Sequence, residues 1–205
     1  MIRAGEFEMR AFREDGKALE IKDDGTWRIA ANSDPIGEGA FRGSTWGSNS
    51  AAVKSNETGN PEVGDSILVW NNFSLGTLNC DVVYIFTHDL LTRGKYMVTE
   101  DWVDERRYLD EYAALKALLV KKYGDPVSDE KFWSNTLWQD NPNEWGLAVA
   151  SGHLSLYARW ETGDTRVFLY LSGENYESSL GIEYVSVSFE GLENSVRETA
   201  VLDNL

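Results

Sequence analysis

The sequence predicts an α+β protein, in which antiparallel β-sheet blocks precede and follow one main amphipathic helix packed on a sheet face. Two patterns predict this class. Apolar and polar residues alternate at 154–160 and 167–171, which is the period of a half-buried strand. Apolar residues at about 104–123 recur every three or four positions, which is the period of a helix. The 8 Trp, 9 Tyr and 8 Phe side chains supply a substantial core.

A small β-hairpin unit is predicted at 8–30, with short strands at 9–14, 18–22 and 27–29. Its turns are Asp15-Gly16 and Asp23-Asp24-Gly25-Thr26, since Asp-Gly pairs favour hairpin turns. The adjacent Asp23 and Asp24 of the second turn also suggest a calcium-binding site, but they lack the ligand spacing of an EF-hand loop.

The main domain is predicted at 40–190, after a linker rich in Gly, Ser, Asn and Pro at 30–44. Ser48 or Asn49 is expected to cap a short helix at 51–55, and the polar stretch 56–65 to form a loop. A β meander comes next, with a turn at His88-Asp89 and strands at 67–70, 78–86 and 90–98. The middle strand is apolar on both faces, as expected of a covered central strand.

The helix at 104–123 is predicted to begin at an Asp104 N-cap and to end at Gly124, because Gly tolerates the left-handed conformation of the C′ position and Pro126 blocks continuation. Its apolar stripe comprises Leu109, Tyr112, Ala113, Leu119, Val120 and Tyr123.

The second β block includes a strand at 180–189 whose apolar residues change parity, which indicates either a bulge or a strand covered on both faces. Residues 191–205 are expected to form a tail or a short helix.

Two motifs resemble those of uncharacterised bacterial exported or envelope proteins. The first is the opening Phe41-Arg42 followed by Trp46-Gly47-Ser48, and the second is the helix ending Lys122-Tyr123-Gly124-Asp125-Pro126. The resemblance spans about 15–190 and implies the fold and export, but no catalytic residue. It implies a periplasmic or secreted protein whose native leader is replaced in this sequence by the heptapeptide 1–7, which has no apolar core; a cytoplasmic protein is the alternative.

Charge argues against some partners. Acids outnumber bases 34 to 19, and the resulting charge of −15 disfavours nucleic acid and anionic membrane surfaces. No apolar run approaches a membrane span, so membrane insertion is not expected. No cofactor is expected either, because no Walker loop or G-x-G-x-x-G is present.

Few residues point to catalysis or to metal binding. His88 and His153 are both interpreted as surface residues near turns, and Cys80 as a buried, inert thiol. Zinc would need more His or Cys ligands than these. The acids at 100–105, near Trp102, suit a carboxylate-based hydrolase, but acids also stabilise the start of a helix. We therefore predict no catalytic residue and no metal ligand.

The candidate binding residues are Trp133, Trp138 and Trp145, which lie in a polar stretch containing Asn and Pro. Trp gives large contact area at low entropic cost, so such clusters are common at interfaces. Parity prevents all three from sharing one strand face, so at least one is expected to be solvent-accessible. The alternative is that they fold back over the sheet as a lid on the core.

The sequence thus predicts a non-enzymatic bacterial binding domain that engages a protein or a small ligand. The main alternative is an acidic inhibitor or immunity-type protein that covers a basic enzyme surface. A hydrolase built on the 100–105 carboxylates is the third.

Overall fold

The computed structural model describes residues 9–12, 18–21, 27–29 and 40–202. The first three ranges are β1 (Met9–Phe12), β2 (Ala18–Ile21) and β3 (Trp27–Ile29), which form an antiparallel sheet in that order. These strands lie where the sequence predicts them. The two predicted turns, the first seven residues and most of the 30–44 linker lie outside the described residues.

Residues 40–202 contain a larger antiparallel sheet and four α-helices. Its strands are β4 (Glu62–Gly64), β5 (Ile67–Leu75), β6 (Leu78–Thr87), β7 (Leu90–Val98), β8 (Ser128–Trp133), β9 (Leu154–Thr162), β10 (Thr165–Glu174) and β11 (Glu177–Ser186). The helices are α1 (Ser50–Asn56), α2 (Arg106–Tyr123), α3 (Trp145–Ala150) and α4 (Glu190–Leu202), with a 3₁₀ turn at Pro142–Glu144. The predicted α+β class is therefore confirmed.

The strand order is β4-β5-β6-β7-β11-β10-β9-β8. Each half of the sheet is thus a four-stranded meander, and β7 and β11 join the halves at the centre. Two of the hairpins are tight because both turn residues adopt positive φ, as type I′ turns require. One is the predicted His88-Asp89 turn, at φ 52° and 58°, and the other is Asn175-Tyr176, at 52° and 66°.

The inner face of the sheet carries the core. Helices α2 and α3 cover β9, β10 and β11, and residues 40–53 cover the strands beside them. A row of inner-face residues in register crosses five strands: Tyr84, Gly94, Tyr184, Val167 and Trp160. At its end, the buried Trp160 Nε1 donates a hydrogen bond to the Gly124 carbonyl at 2.9 Å.

The segment before α1 forms a hook that closes over the inner face. Phe41 lies over Gly94, where a Cβ would sit 2.1 Å from the Phe41 Cδ1 atom, so β7 requires glycine there. Trp46 Nε1 donates to Thr165 Oγ1 at 2.9 Å, which connects the hook to β10. As predicted, Asn49 caps α1 by accepting from the Ala52 N–H at 2.8 Å.

The opposite, outer face of the sheet carries α4. Arg93 on β7 binds Glu193 of this helix at 2.5 Å, and Arg166 on β10 binds Glu190 at 2.8 Å. Val185 of β11 is buried on this face, while its neighbours Tyr184 and Ser186 are buried on the other. The register of β11 with β10 is continuous, so the parity change reflects coverage of both faces and not a bulge.

The structure contradicts the predictions of the 56–65 loop, of the start of the main helix and of that helix's apolar stripe. The 56–65 loop contains β4, which forms a hairpin with the first residues of β5. Helix α2 begins at Arg106, and Asp104 accepts the Arg106 N–H from just outside it, because its short side chain reaches two residues on. Ala113 of the predicted stripe is exposed. The buried face is rotated around the helix axis relative to the predicted stripe, and its residues are Tyr108, Tyr112, Leu115 and Leu119.

Candidate functional site

The three predicted binding tryptophans form part of one corner of the molecule. Trp133 ends β8 and Trp145 begins α3, and their rings meet edge to face at 5.8 Å. Trp145 Nε1 donates to the Gln139 carbonyl at 3.2 Å, and Lys131 Nζ lies 4.2 Å from the centre of the Trp145 ring. The intervening loop is therefore folded back on this ring pair.

Trp138 stacks against a histidine. The ring centroids of Trp138 and His153 are 4.7 Å apart, and within the described residues the His153 Nδ1 atom is buried without a hydrogen-bond partner. His153 lies at a turn, as predicted, and is partly buried, because the Trp138 ring packs against it. His88 is exposed at its turn, as predicted.

All three tryptophans are partly buried and pack against the hydrophobic core. The expectation that one of them is substantially exposed is not met, and their arrangement agrees with a lid over the core. The large apolar side chains exposed in this segment are instead Phe132, at 54%, and Leu137, at 68%.

The outer face of the sheet holds a second group of large side chains, which the sequence analysis missed. We call it the outer patch, and it consists of Met97, Phe132, Tyr157, Phe168 and Tyr170. The register places Met97, Gly181, Tyr170 and Tyr157 in one row across four adjacent strands. The exposed fractions of Met97 and Tyr157 are 40% and 39%.

Glycine shapes the middle of this patch. A Cβ at Gly181 would lie 2.5 Å from Tyr170 Oη, so the missing side chain lets the Tyr170 ring extend across β11. The Tyr157 and Phe168 rings meet edge to face at 6.1 Å. Burial raises the pKa of Tyr170, and the nearby Glu183 carboxylate raises it further.

A charged row separates the outer patch from α4. Glu183 bridges Arg93 and Lys95, with 3.2 Å between nitrogen and oxygen in each pair. The hydrogen bond to Glu193 raises the pKa of Arg93 and outweighs the effect of burial, which lowers it, so the net shift is upward. These charges connect α4 to the sheet, and at the other end of the patch the row that contains Tyr157 continues to the exposed Glu130 of β8.

Two of the four carboxylates at 100–105, those of Glu100 and Asp104, make contacts within the fold. Glu100 accepts the Asn79 N–H at 2.6 Å, and its carbonyl accepts from Tyr108 Oη at 3.1 Å. Asp104 pairs with Arg106 at 3.2 Å. Among the described residues, no group of three or more His, Cys, Asp or Glu side chains is arranged to hold a metal ion.

The alternation of residue types along β9 and β10 could have predicted the outer patch. In 154–160 the buried positions are Leu154, Leu156, Ala158 and Trp160. The opposite parity carries Tyr157 between Ser155 and Arg159, and the next strand places Phe168 and Tyr170 at its solvent-facing positions. Aromatic residues at polar positions of two adjacent strands indicate an exposed aromatic surface.

The chain matches no known protein-family model, no curated protein and no solved structure. Within the described residues, no helix is long and apolar enough to cross a membrane.

Proposed function

We propose that this protein is a non-enzymatic binding domain that engages a protein partner through the outer patch. One observation carries the proposal. Met97, Phe132 and Tyr157 are each at least 39% exposed on one sheet face, beside the partly buried rings of Phe168 and Tyr170. Burying such side chains against a partner removes apolar surface from water.

The composition of the patch favours a protein over a small molecule. Tyr, Phe, Met and Arg are enriched in the cores of protein interfaces, whereas small molecules prefer concave pockets. The outer patch lies on an open sheet face, and Arg159 stands at its border in register with Phe168. Trp133, the next residue of β8, pairs with the buried Leu154 on the inner face and packs against the core, so it is not part of the outer patch.

The experiment compares three forms of the full chain. Chemical cross-linking in cells identifies candidate partners of the unchanged chain, which are then purified and titrated against Tyr157→Ser and against Leu137→Ser. Leu137 is more exposed than Tyr157 but lies outside the patch, so it serves as the matched control. We expect Tyr157→Ser to weaken binding by about 2 kcal/mol or more, and Leu137→Ser to leave it unchanged. Equal effects of the two substitutions would contradict the proposal.

The charge of −15 favours a second candidate, an acidic inhibitor or immunity-type protein on a basic enzyme surface. Salt distinguishes the two, because screening weakens charge-driven association and has little effect on apolar contact. A dissociation constant that rises steeply with salt supports the inhibitor, and a nearly constant one supports the patch.

Bacterial origin and export belong to the same proposal, supported by the Phe41-Arg42 opening and the Lys122–Pro126 helix ending. The 5′ end of the native gene and its neighbouring genes provide the test. A leader sequence upstream supports export, and its absence there supports the cytoplasmic alternative.

A further inference from the structure

A pocket of about 200 Å³ lies at one corner of the main sheet, and we call it the corner pocket. It is on the inner side, away from the outer patch, so a ligand bound in it is independent of the proposed function. Its walls come from α1, from the β4–β5 hairpin and from the turn before β7. Its lining includes Ser50, Lys54, Ile67, Leu68, Phe86 and Asp89.

The floor of the corner pocket is apolar and fixed. Leu68 and Phe86 are buried, with exposed fractions of 2% and 5%. The Phe86 N–H donates to the Ser66 carbonyl at 2.8 Å, which holds the β4–β5 hairpin against β6. Ile67 and Val63 stand at the mouth, where 37% and 66% of their surface is exposed. These apolar side chains are the part of the lining that would face an aliphatic group in the pocket.

Two opposite charges line the same pocket without pairing. Lys54 projects from α1 and Asp89 from the turn before β7, and within the described residues no ion pair joins them. One oxygen of Asp89, Oδ1, accepts the Ser50 N–H at 3.0 Å, which fixes the carboxylate at the pocket wall and leaves Oδ2 for a ligand. A cation and an anion that line one pocket together with Leu68 and Phe86 match a molecule that carries both charges and an aliphatic body.

We infer that the corner pocket binds a free α-amino acid with an aliphatic side chain. The ligand carboxylate would pair with Lys54, its ammonium group with Asp89, and its side chain would rest on Leu68 and Phe86. The volume of about 200 Å³ has room for several water molecules and therefore for a small ligand of this class. Charge-assisted hydrogen bonds at both ends would orient the ligand.

The experiment titrates L-leucine into the full chain while the methyl resonances of Leu68 and Ile67 are followed by NMR. Two analogues test the charges on the unchanged protein: 4-methylpentanoate lacks the ammonium group, and isopentylamine lacks the carboxylate. We expect saturable shifts with leucine at a Kd below about 1 mM, and at least tenfold weaker binding of each analogue.

Two substitutions test the residues. Lys54→Met keeps the aliphatic stem and removes the charge, and Asp89→Asn keeps an acceptor for the Ser50 N–H at a positive φ that Asn tolerates. Each is expected to weaken leucine binding at least tenfold, whereas Asp89→Asn does not weaken the binding of 4-methylpentanoate, which has no ammonium group to pair with Asp89. Lys121→Met, at an exposed lysine of α2, is the matched control.

The inference is overturned if leucine leaves the Leu68 and Ile67 resonances unmoved at concentrations well above 1 mM, or if 4-methylpentanoate binds as tightly as leucine. It is also overturned if Lys54→Met and Lys121→Met bind leucine equally. Thermal melting of each variant confirms that it is folded, and the analogue titrations need no variant.

Discussion

Arg42 and Glu57 form a two-point ion pair, with Arg42 Nε 2.6 Å from Glu57 Oε1 and Arg42 Nη2 2.9 Å from Oε2. Tyr84 Oη donates to the same carboxylate. The guanidinium carbon lies 4.0 Å from the centre of the Phe73 ring, and only 18% of the Arg42 side chain and 9% of the Glu57 side chain are exposed. The pair therefore connects the hook, the end of α1 and the centre of the sheet.

Replacing Glu57 by Gln should destabilise the fold. The substitution removes a partly buried negative charge while Arg42 keeps its positive one, and a two-point charge-assisted contact is lost. We expect the free energy of unfolding to fall by about 2–3 kcal/mol, measured by urea denaturation at neutral pH. The matched control is Glu177→Gln, at the exposed first residue of β11, which should change little. Equal free energies of unfolding for the two variants would show that the ion pair makes no net contribution to stability.

The same contact should make stability depend on pH at the acidic end. Burial raises the pKa of Glu57, but the hydrogen bonds from Arg42 and Tyr84 outweigh it, so the pKa lies below its ordinary value of 4.5. A carboxyl group whose pKa is lowered by folding stabilises the protein above the unfolded pKa and loses that contribution as the pH falls through the folded one. The difference in stability between the unchanged chain and Glu57→Gln should therefore be constant from pH 7 to about 5 and shrink below about 4.5. A difference that persists undiminished to the lowest pH at which the protein folds would argue against an ionised Glu57.

Alanine at Gly94 should be one of the most damaging single-methyl additions in this chain. The added Cβ would overlap the buried Phe41 ring, so the hook must move or β7 must distort. We expect a loss of about 3 kcal/mol in thermal or urea unfolding. Gly163→Ala, where nothing lies within 4 Å of the new methyl group, is the control. Adding Phe41→Leu to the Gly94 variant should recover part of the loss, and no recovery would mean that the damage arises elsewhere.

Much of this fold could be predicted because its signals are local. Period 2 identifies β9 and β10, residue types identify the His88-Asp89 turn, and Gly124, at φ 82°, ends α2 as predicted. The errors come from non-local causes. Glu62–Gly64 has no strand pattern of its own and becomes β4 because β5 offers a pairing edge. The edge strand β8 begins with the polar and charged run Ser128–Lys131, which hides its alternation.

The candidate surfaces could be predicted only in part. Residue type draws attention to the three tryptophans, but sequence spacing does not show that Trp138 covers His153 or that Trp145 meets Trp133. The outer patch depends on register, because Met97 and Tyr157 lie 60 residues apart and share a row only through β11 and β10. The corner pocket is lined by α1, the β4–β5 hairpin and the turn before β7, and only the folded sheet places these separate segments side by side.

Cys80 should be unreactive in the folded protein. Its side chain is buried, and burial raises the pKa of the thiol to about 11, with Glu100 and Asp81 also contributing to the increase. Because the thiolate is the reactive form, a thiol-specific reagent such as Ellman's reagent should label Cys80 at neutral pH only after urea unfolds the chain. Fast labelling of the native protein would show that β6 opens readily or that the thiol is accessible.

Partial burial of Trp133, Trp138 and Trp145 permits two roles for these side chains. If they form a lid on the core, each Trp→Ala substitution should lower the free energy of unfolding by about 2–3 kcal/mol, below the roughly 3–5 kcal/mol of a fully buried ring. If one of them anchors a partner, its substitution should cost little stability and weaken binding by about 2 kcal/mol or more. We expect the lid result for all three, because each packs against the core and Trp138 also shields the unpaired His153 nitrogen. Thermal and urea unfolding of the three variants, with the exposed Leu137→Ala as control, decides between the roles. If a variant unfolds at the same temperature as the unchanged chain, the replaced tryptophan contributes little to the core and is the better candidate for a binding residue.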